Sequence, residues 1–132
     1  MLALRLTPLA LLALVGCGNP GGDLIALEER GAHFTRIVVT DDGRGKCNDG
    51  ELQRLESQRL LEAREVERKL QELADEGTTN FPDDLGGRHF RAQMRGTTVT
   101  WREGSRQDEA LPKATLLTIR LRRELCPPTL VP

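Results

Sequence analysis

A chain of 132 residues, 38% hydrophobic and 30% charged, suits one small domain with a single core. Its 19 Lys and Arg against 20 Asp and Glu leave a net charge of −1, with no Tyr and one Trp. Such a balance argues against nucleic-acid binding, whose usual signature is a basic face with aromatics.

Met1 to Gly16 carries the parts of an export signal. Arg5 supplies the positive end, and Leu6 to Val15 forms a short apolar run interrupted at Pro8. A membrane-spanning helix needs about 20 apolar residues, so this run is too short to span. Leu14-Val15-Gly16-Cys17 then resembles the bacterial lipobox, in which a diacylglycerol is placed on the thiol and the chain is cut before the cysteine. The expectation is a signal peptide over residues 1–16, with Cys17 lipidated as the first residue of the mature chain. The alternatives are an ordinary signal peptide with Cys17 incidental, or a cytosolic protein with an apolar start. Residues 18–22, Gly-Asn-Pro-Gly-Gly, complete a flexible tether over 17–22.

Asp23–Arg30 and His33–Thr40 read as strands, the second rich in β-branched residues and closed by the turn signal Asp41-Asp42-Gly43. No pattern emerges over residues 44–57. From Ser57 the period changes: Leu60, Ala63, Val66, Leu70, Leu73 and Ala74 share one helical face, with Ser57 as N-cap and Gly77 as terminator. Thr78 to Gly87 reads as a loop. Phe90, Ala92 and Met94, then Val99 and Trp101, alternate with polar residues about Gly96, which predicts a hairpin. Ala114, Leu117, Leu121 and Leu125 predict a closing helix with Pro112 at its start and Pro127-Pro128 beyond it, although Leu117, Ile119 and Leu121 also suit a strand. The order ββαββα implies an α+β domain over residues 23–127: an antiparallel sheet of about four strands with both helices on one face, then a tail over 128–132.

Cys47 and Cys126 remain once Cys17 is set aside. Two thiols in an oxidising compartment usually pair, here closing a loop of about 80 residues. They lack the CxxC spacing of a redox pair and neighbouring histidines for a metal site.

The stretches IVVTDDGRGKCN, LLEAREVERKL and GTTVTWREGS, followed by a helix ending in cysteine, resemble uncharacterised small lipoproteins of GC-rich Gram-positive bacteria. The layout is also loosely similar to emfourin-like proteins, small inhibitors of thermolysin-type metalloproteases. Those carry a Gly-Gly-Phe-Ala-Gly-like turn after the first strand, where this chain has Arg30-Gly31-Ala32-His33-Phe34. That similarity implies protease inhibition as one expectation.

Catalytic chemistry has few candidates. There is no GxSxG and no HExxH, and His33 and His89 are the only histidines; the strand phase turns His89 to solvent. Asp41, Asp42, Asn48, Asp49 and Glu51 cluster in sequence but miss the EF-hand spacing, and read as two polar turns. Trp101 shares the core-facing phase of Val99, and Arg120, Arg122 and Arg123 read as a solvated helix face. The expectation is therefore an outward-facing, lipid-anchored protein of the cell membrane that binds an envelope protein or ligand. No catalysis, no cofactor, no metal and no nucleic acid are expected, and a protease inhibitor or a small envelope enzyme stands as the alternative.

Overall fold

Asp23–Arg30 and Phe34–Thr40 pair as antiparallel strands β1 and β2 in the computed structural model, which describes residues 22–82 and 86–128. The expected signal peptide, Cys17 and most of the tether lie outside the described residues, as do residues 129–132 of the expected tail. Every second residue of β1 and β2 points inward, so Ile25 and Leu27 meet Val39 and Ile37 across the pair.

The chain then makes two short strands in the region that shows no sequence pattern: β3 (Arg44–Cys47) beside β2, and β4 (Gln53–Arg54) at the edge. Helix α1 (Ser57–Asp75) follows and buries Ala63, Val66, Leu70 and Leu73, with Leu60 and Ala74 half-buried beside them. Ser57 is not its N-cap. Glu56 holds that position, with no side-chain cap bond, and Ser57 is the first helical residue. The far end is as expected: Gly77 takes a φ of 96°, its N–H donates to the Ala74 carbonyl, and the Thr78 N–H donates to that of Leu73. This paired closure needs a left-handed residue, which glycine adopts without cost.

Inside the expected loop, Asn80–Phe81 forms β5, which runs parallel to the hairpin strand β7 (Thr97–Arg102); β6 (His89–Met94) is the other arm of that hairpin. Helix α2 (Ala110–Leu125) closes the domain, which settles the strand alternative for Leu117–Leu121. It begins two residues before Pro112, and the Asp108 carboxylate accepts the Ala110 N–H at 2.8 Å.

The domain is α+β with two helices, and the sheet is a correction. It has seven strands in the order β4-β3-β2-β1-β6-β7-β5, with one parallel pair, instead of four antiparallel ones. The four expected strands form its middle; β3, β4 and β5 are too short to show an alternation of their own. Both helices lie on one side. Trp101 and Phe90, their rings stacked at 5.6 Å, sit at one end of the shared core, and the indole Nε1 donates to Thr115 Oγ1 of α2 at 2.8 Å. At the other end Gly45 lies under α2, where a Cβ would stand 2.8 Å from Leu125 Cδ1. That close approach brings β3 and the end of α2 together, and Cys47 and Cys126 are bridged with Cα atoms 5.1 Å apart.

Candidate functional site

A sheet with both helices on one side leaves its second face without a covering element among the described residues. Alternation decides what stands there. Leu27 and Ile37 point into the core, so Glu28 and Arg36 point out, and the register carries this across the sheet. The outward positions hold Arg44 and Lys46 on β3, Arg36 on β2 and Arg30 on β1. Beyond them come His89 and Arg91 on β6 and Arg102 on β7, and Arg54 extends the set to the β4 edge. Glu28, on the central strand, stands among them, and Asp23, opposite Thr40, is a second acid at the margin of the face.

Two of these cations are neutralised. Arg44 is bound by the Asp42 carboxylate at 2.8 Å, and Arg44 and Thr40 together hold that carboxyl below its usual range. Arg36 approaches Glu28 at 3.7 Å while its Nη2 donates to Gln93 Oε1, so it reaches across β1. Among the described residues, Arg30, Lys46, Arg54, Arg91 and Arg102 form no ion pair with an acid. The helical layer is mostly paired. Arg59 binds Glu124 at 2.6 Å and Glu62 at 2.7 Å, Lys69 binds Glu109 at 3.0 Å, and Arg68 binds Glu72 at 3.0 Å. A chain of nearly zero net charge is thus polarised, cationic on the open sheet face and largely charge-paired on the helices, where Arg64 and Arg123 are the exceptions among the described residues.

The open face carries two shallow depressions. One, of about 540 Å³, is lined by Glu28, Arg30, His89, Arg91, Thr100 and Arg102, among others. The second, about 520 Å³, runs along β2 between Phe34, Arg36, Val38 and Lys46, with Asp23 and Asp49 at its margin. Phe34 is 48% exposed, and the Arg30 guanidinium lies 5.1 Å from its ring centroid.

His89 is exposed, as its phase predicts, and its directly paired neighbours are Arg30 and Arg102; Arg91 is the residue opposite Glu28. An imidazole between two guanidiniums lacks the adjacent acceptor that orients a general base, and suits an anion better. His33, also exposed, lies in the β1–β2 turn. The acids clustered in sequence are dispersed by the fold: Asp41 and Asp42 occupy the β2–β3 turn, with Asp41 near Arg95, while Asn48 caps Arg36 N–H after β3. No group of His, Cys, Asp and Glu among the described residues is placed to hold a metal. No described helix is long and apolar enough to cross a membrane.

Beneath the β1–β2 turn, on the core side, stands a charged group that sequence reasoning missed. Glu29 is 3% exposed, and its Oε1 accepts from the guanidiniums of both Arg88 and Arg122. Arg122 is therefore not part of a solvated helix face, whereas Arg120 and Arg123 are exposed. The phase of β1 was the available signal: Ile25, Leu27 and Glu29 all point inward. Arg88 also binds Glu103, which together with Glu29 keeps its guanidinium protonated, and the same bond holds the Glu103 carboxyl below its ordinary value of 4.5.

This last shift fixes a pH dependence. A depressed folded value means that the stability from Glu103 is fully present above pH 4.5 and lost as pH falls below it. Chemical denaturation of Glu103→Gln is expected to show a smaller loss of stability than the parent between about pH 5 and pH 3. Equal losses would remove Glu103 from the acid response.

Comparison with family models, with curated proteins and with solved structures found no match. Function must therefore be argued from the geometry of the site.

Proposed function

We propose that the protein is a cell-envelope lipoprotein, held by acyl chains on Cys17 and facing outward, whose domain is a binding module. On this reading it performs no catalysis and takes no cofactor. The open sheet face is the binding surface, and its partner carries anionic groups. One observation carries this: cations without acidic partners are gathered on the face that no described element covers, while six of the eight on the helices are paired with acids. The LVGC motif and its apolar leader support the anchor. One lipid chain holds a protein only marginally and two or more hold it stably, which is the logic of a diacylated cysteine.

Intact mass of the protein extracted from membranes without reductant tests the anchor. The expected mass lacks residues 1–16, carries added acyl chains, and is lighter by the two hydrogens of one disulfide. An unprocessed chain, or one cut at another residue and unlipidated, overturns the lipoprotein reading.

A second reading has one observation in its favour. The turn Gly31-Ala32-His33-Phe34, where the similarity to emfourin-like inhibitors was drawn, is exposed at the sheet end. A protease inhibitor acting through this turn would block a thermolysin-like enzyme; no effect at micromolar excess dismisses it.

A further inference from the structure

We propose that the partner of the cationic sheet face is the anionic phospholipid surface of the membrane that carries the anchor, so that the domain lies on the bilayer with its helices outward. This rests on the reading of that face as the binding surface and names its occupant.

Charge placement is the first argument. Arg30, Lys46, Arg54, Arg91 and Arg102 stand on one side of a single sheet, spread across it from the β4 edge to β7. A broad, shallow array of this kind matches many headgroups at once, in contrast to a deep pocket that encloses one small ligand. Each Lys or Arg brought near an anionic leaflet adds an attraction that decays within a Debye length, about 8–10 Å. The opposite side of the domain offers no comparable array of unpaired cations: six of the eight Lys and Arg on the helices are paired with acids, and exposed Glu65, Glu72 and Glu124 stand among them.

Chain length is the second argument. Residues 18–22 alone separate Cys17 from β1. Fully extended, that segment reaches about 18 Å. An anchor at Cys17 therefore keeps the sheet close to the headgroups, and turning the cationic face toward them costs little further entropy. Phe34, half exposed at the rim of the face with Arg30 beside it, is an apolar ring suited to the boundary between headgroups and acyl chains. Acyl chains and a polybasic face would then act as two signals on one membrane.

The alternative macromolecule, a soluble polyanion, is disfavoured by the same observations. Apart from Phe34 the face presents no aromatic on which bases could stack, since Phe90 and Trp101 point into the core. Among the described residues this face forms two shallow depressions and no single deep groove for a strand.

The test uses the whole chain with Cys17→Ser, so that attachment through acyl chains is removed. Sedimentation is compared with vesicles of phosphatidylcholine alone and with vesicles containing about 30% phosphatidylglycerol. The apolar leader contributes to both, so the difference reports charge. Partitioning onto the anionic vesicles is expected to be about tenfold stronger at about 0.1 M salt and to converge with the neutral ones at about 0.5 M. In Arg91→Glu with Arg102→Glu, the preference for anionic vesicles should disappear. Arg68→Glu with Arg123→Glu changes net charge equally on the helical side and should preserve it. Thermal melts of both variants establish that each is folded.

Equal partitioning onto the two vesicle types overturns the proposal. So does an equal loss in both double variants, which would reduce the effect to net charge. Retention of the chain on soluble polyphosphate more tightly than on anionic vesicles assigns the face to a polymer and overturns it too. The intact-mass measurement judges the anchor separately: a chain without acyl groups that still prefers anionic vesicles keeps the surface proposal and rejects the lipoprotein reading.

Discussion

Replacing both bridging cysteines, Cys47→Ala with Cys126→Ala, is expected to lower the unfolding free energy by about 4.5 kcal/mol. The bridge spans 79 positions, so it removes the conformational freedom of most of the unfolded domain. Both cysteines are nearly buried, at 4% and 7% exposure, and alanine fills their places without adding an unsatisfied polar group. Small domains are stable by only about 5–15 kcal/mol, so the loss is a large share of the total. A melting temperature lower by about 20 °C should accompany it. Guanidinium titrations of the parent and the double variant measure the difference. A change under about 1 kcal/mol would mean that the unfolded chain is already constrained, and that the staple is not a main source of stability.

Its position makes a local contribution as well. β3 is a four-residue strand near the sheet edge, joined outward only to the two-residue β4. Few hydrogen bonds hold such strands, and the bridge ties β3 to the end of α2 where Leu125 packs over Gly45. Loss of the staple should therefore loosen β3 and β4 before the centre of the sheet. Amide exchange in the reduced protein is expected to rise there first.

The second large effect concerns Glu29. Glu29→Ala should cost about 3–5 kcal/mol, because it strands the Arg122 guanidinium and half of the Arg88 contacts at a nearly closed site. Arg122 is the more exposed to this loss, since Arg88 retains Glu103. Most of the cost is the charge left behind, so a double change decides the origin. Glu29→Leu with Arg122→Met removes both partners and should recover most of the stability. Disruption of the exposed pair in Arg68→Ala gives a control, expected within about 0.5 kcal/mol of the parent. A loss for Glu29→Ala no larger than that control would show that solvent screens the site.

The network also connects the two faces of the domain. Glu29 follows Glu28 in the chain, so one strand sends a carboxylate out to the cationic surface and the next into the core. Arg88 leads directly into His89, and its guanidinium lies 5.8 Å from the Phe90 ring centroid. The backbone under the larger depression is thereby fixed from the core side. A variant of Glu29 used in vesicle work would disturb that surface indirectly, which is why the binding test substitutes Arg91 and Arg102.

Local patterns carried much of this architecture. The strands β6 and β7 show period-two alternation, β1 and β2 are readable from apolar runs, β-branched content and a turn signal, and both helices show apolar stripes long enough to define a face. Such patterns are legible because burial on one side imposes the repeat along the chain itself. The pairing of Cys47 with Cys126 was legible by elimination, once the third cysteine had another assignment. The proposed address likewise rests on contiguous residues, Met1 to Cys17.

Long-range placement decided the rest. β3, β4 and β5 span two to four residues each, less than a repeat can reveal, and they exist because a neighbouring strand offers its hydrogen bonds. Asp41 and Asn48 look adjacent in sequence, yet β3 separates them onto two turns. The candidate site was hidden for a related reason. A net charge of −1 is a sum over the chain, and it conceals unpaired cations on one face and mostly paired charges on the other. Outward positions such as His89, Arg91 and Arg102 were individually visible in the alternation, but only the register β4-β3-β2-β1-β6-β7-β5 sets them side by side. Charge proximity depends on which strands pair, and pairing is decided by burial and hydrogen bonding between segments far apart in the chain.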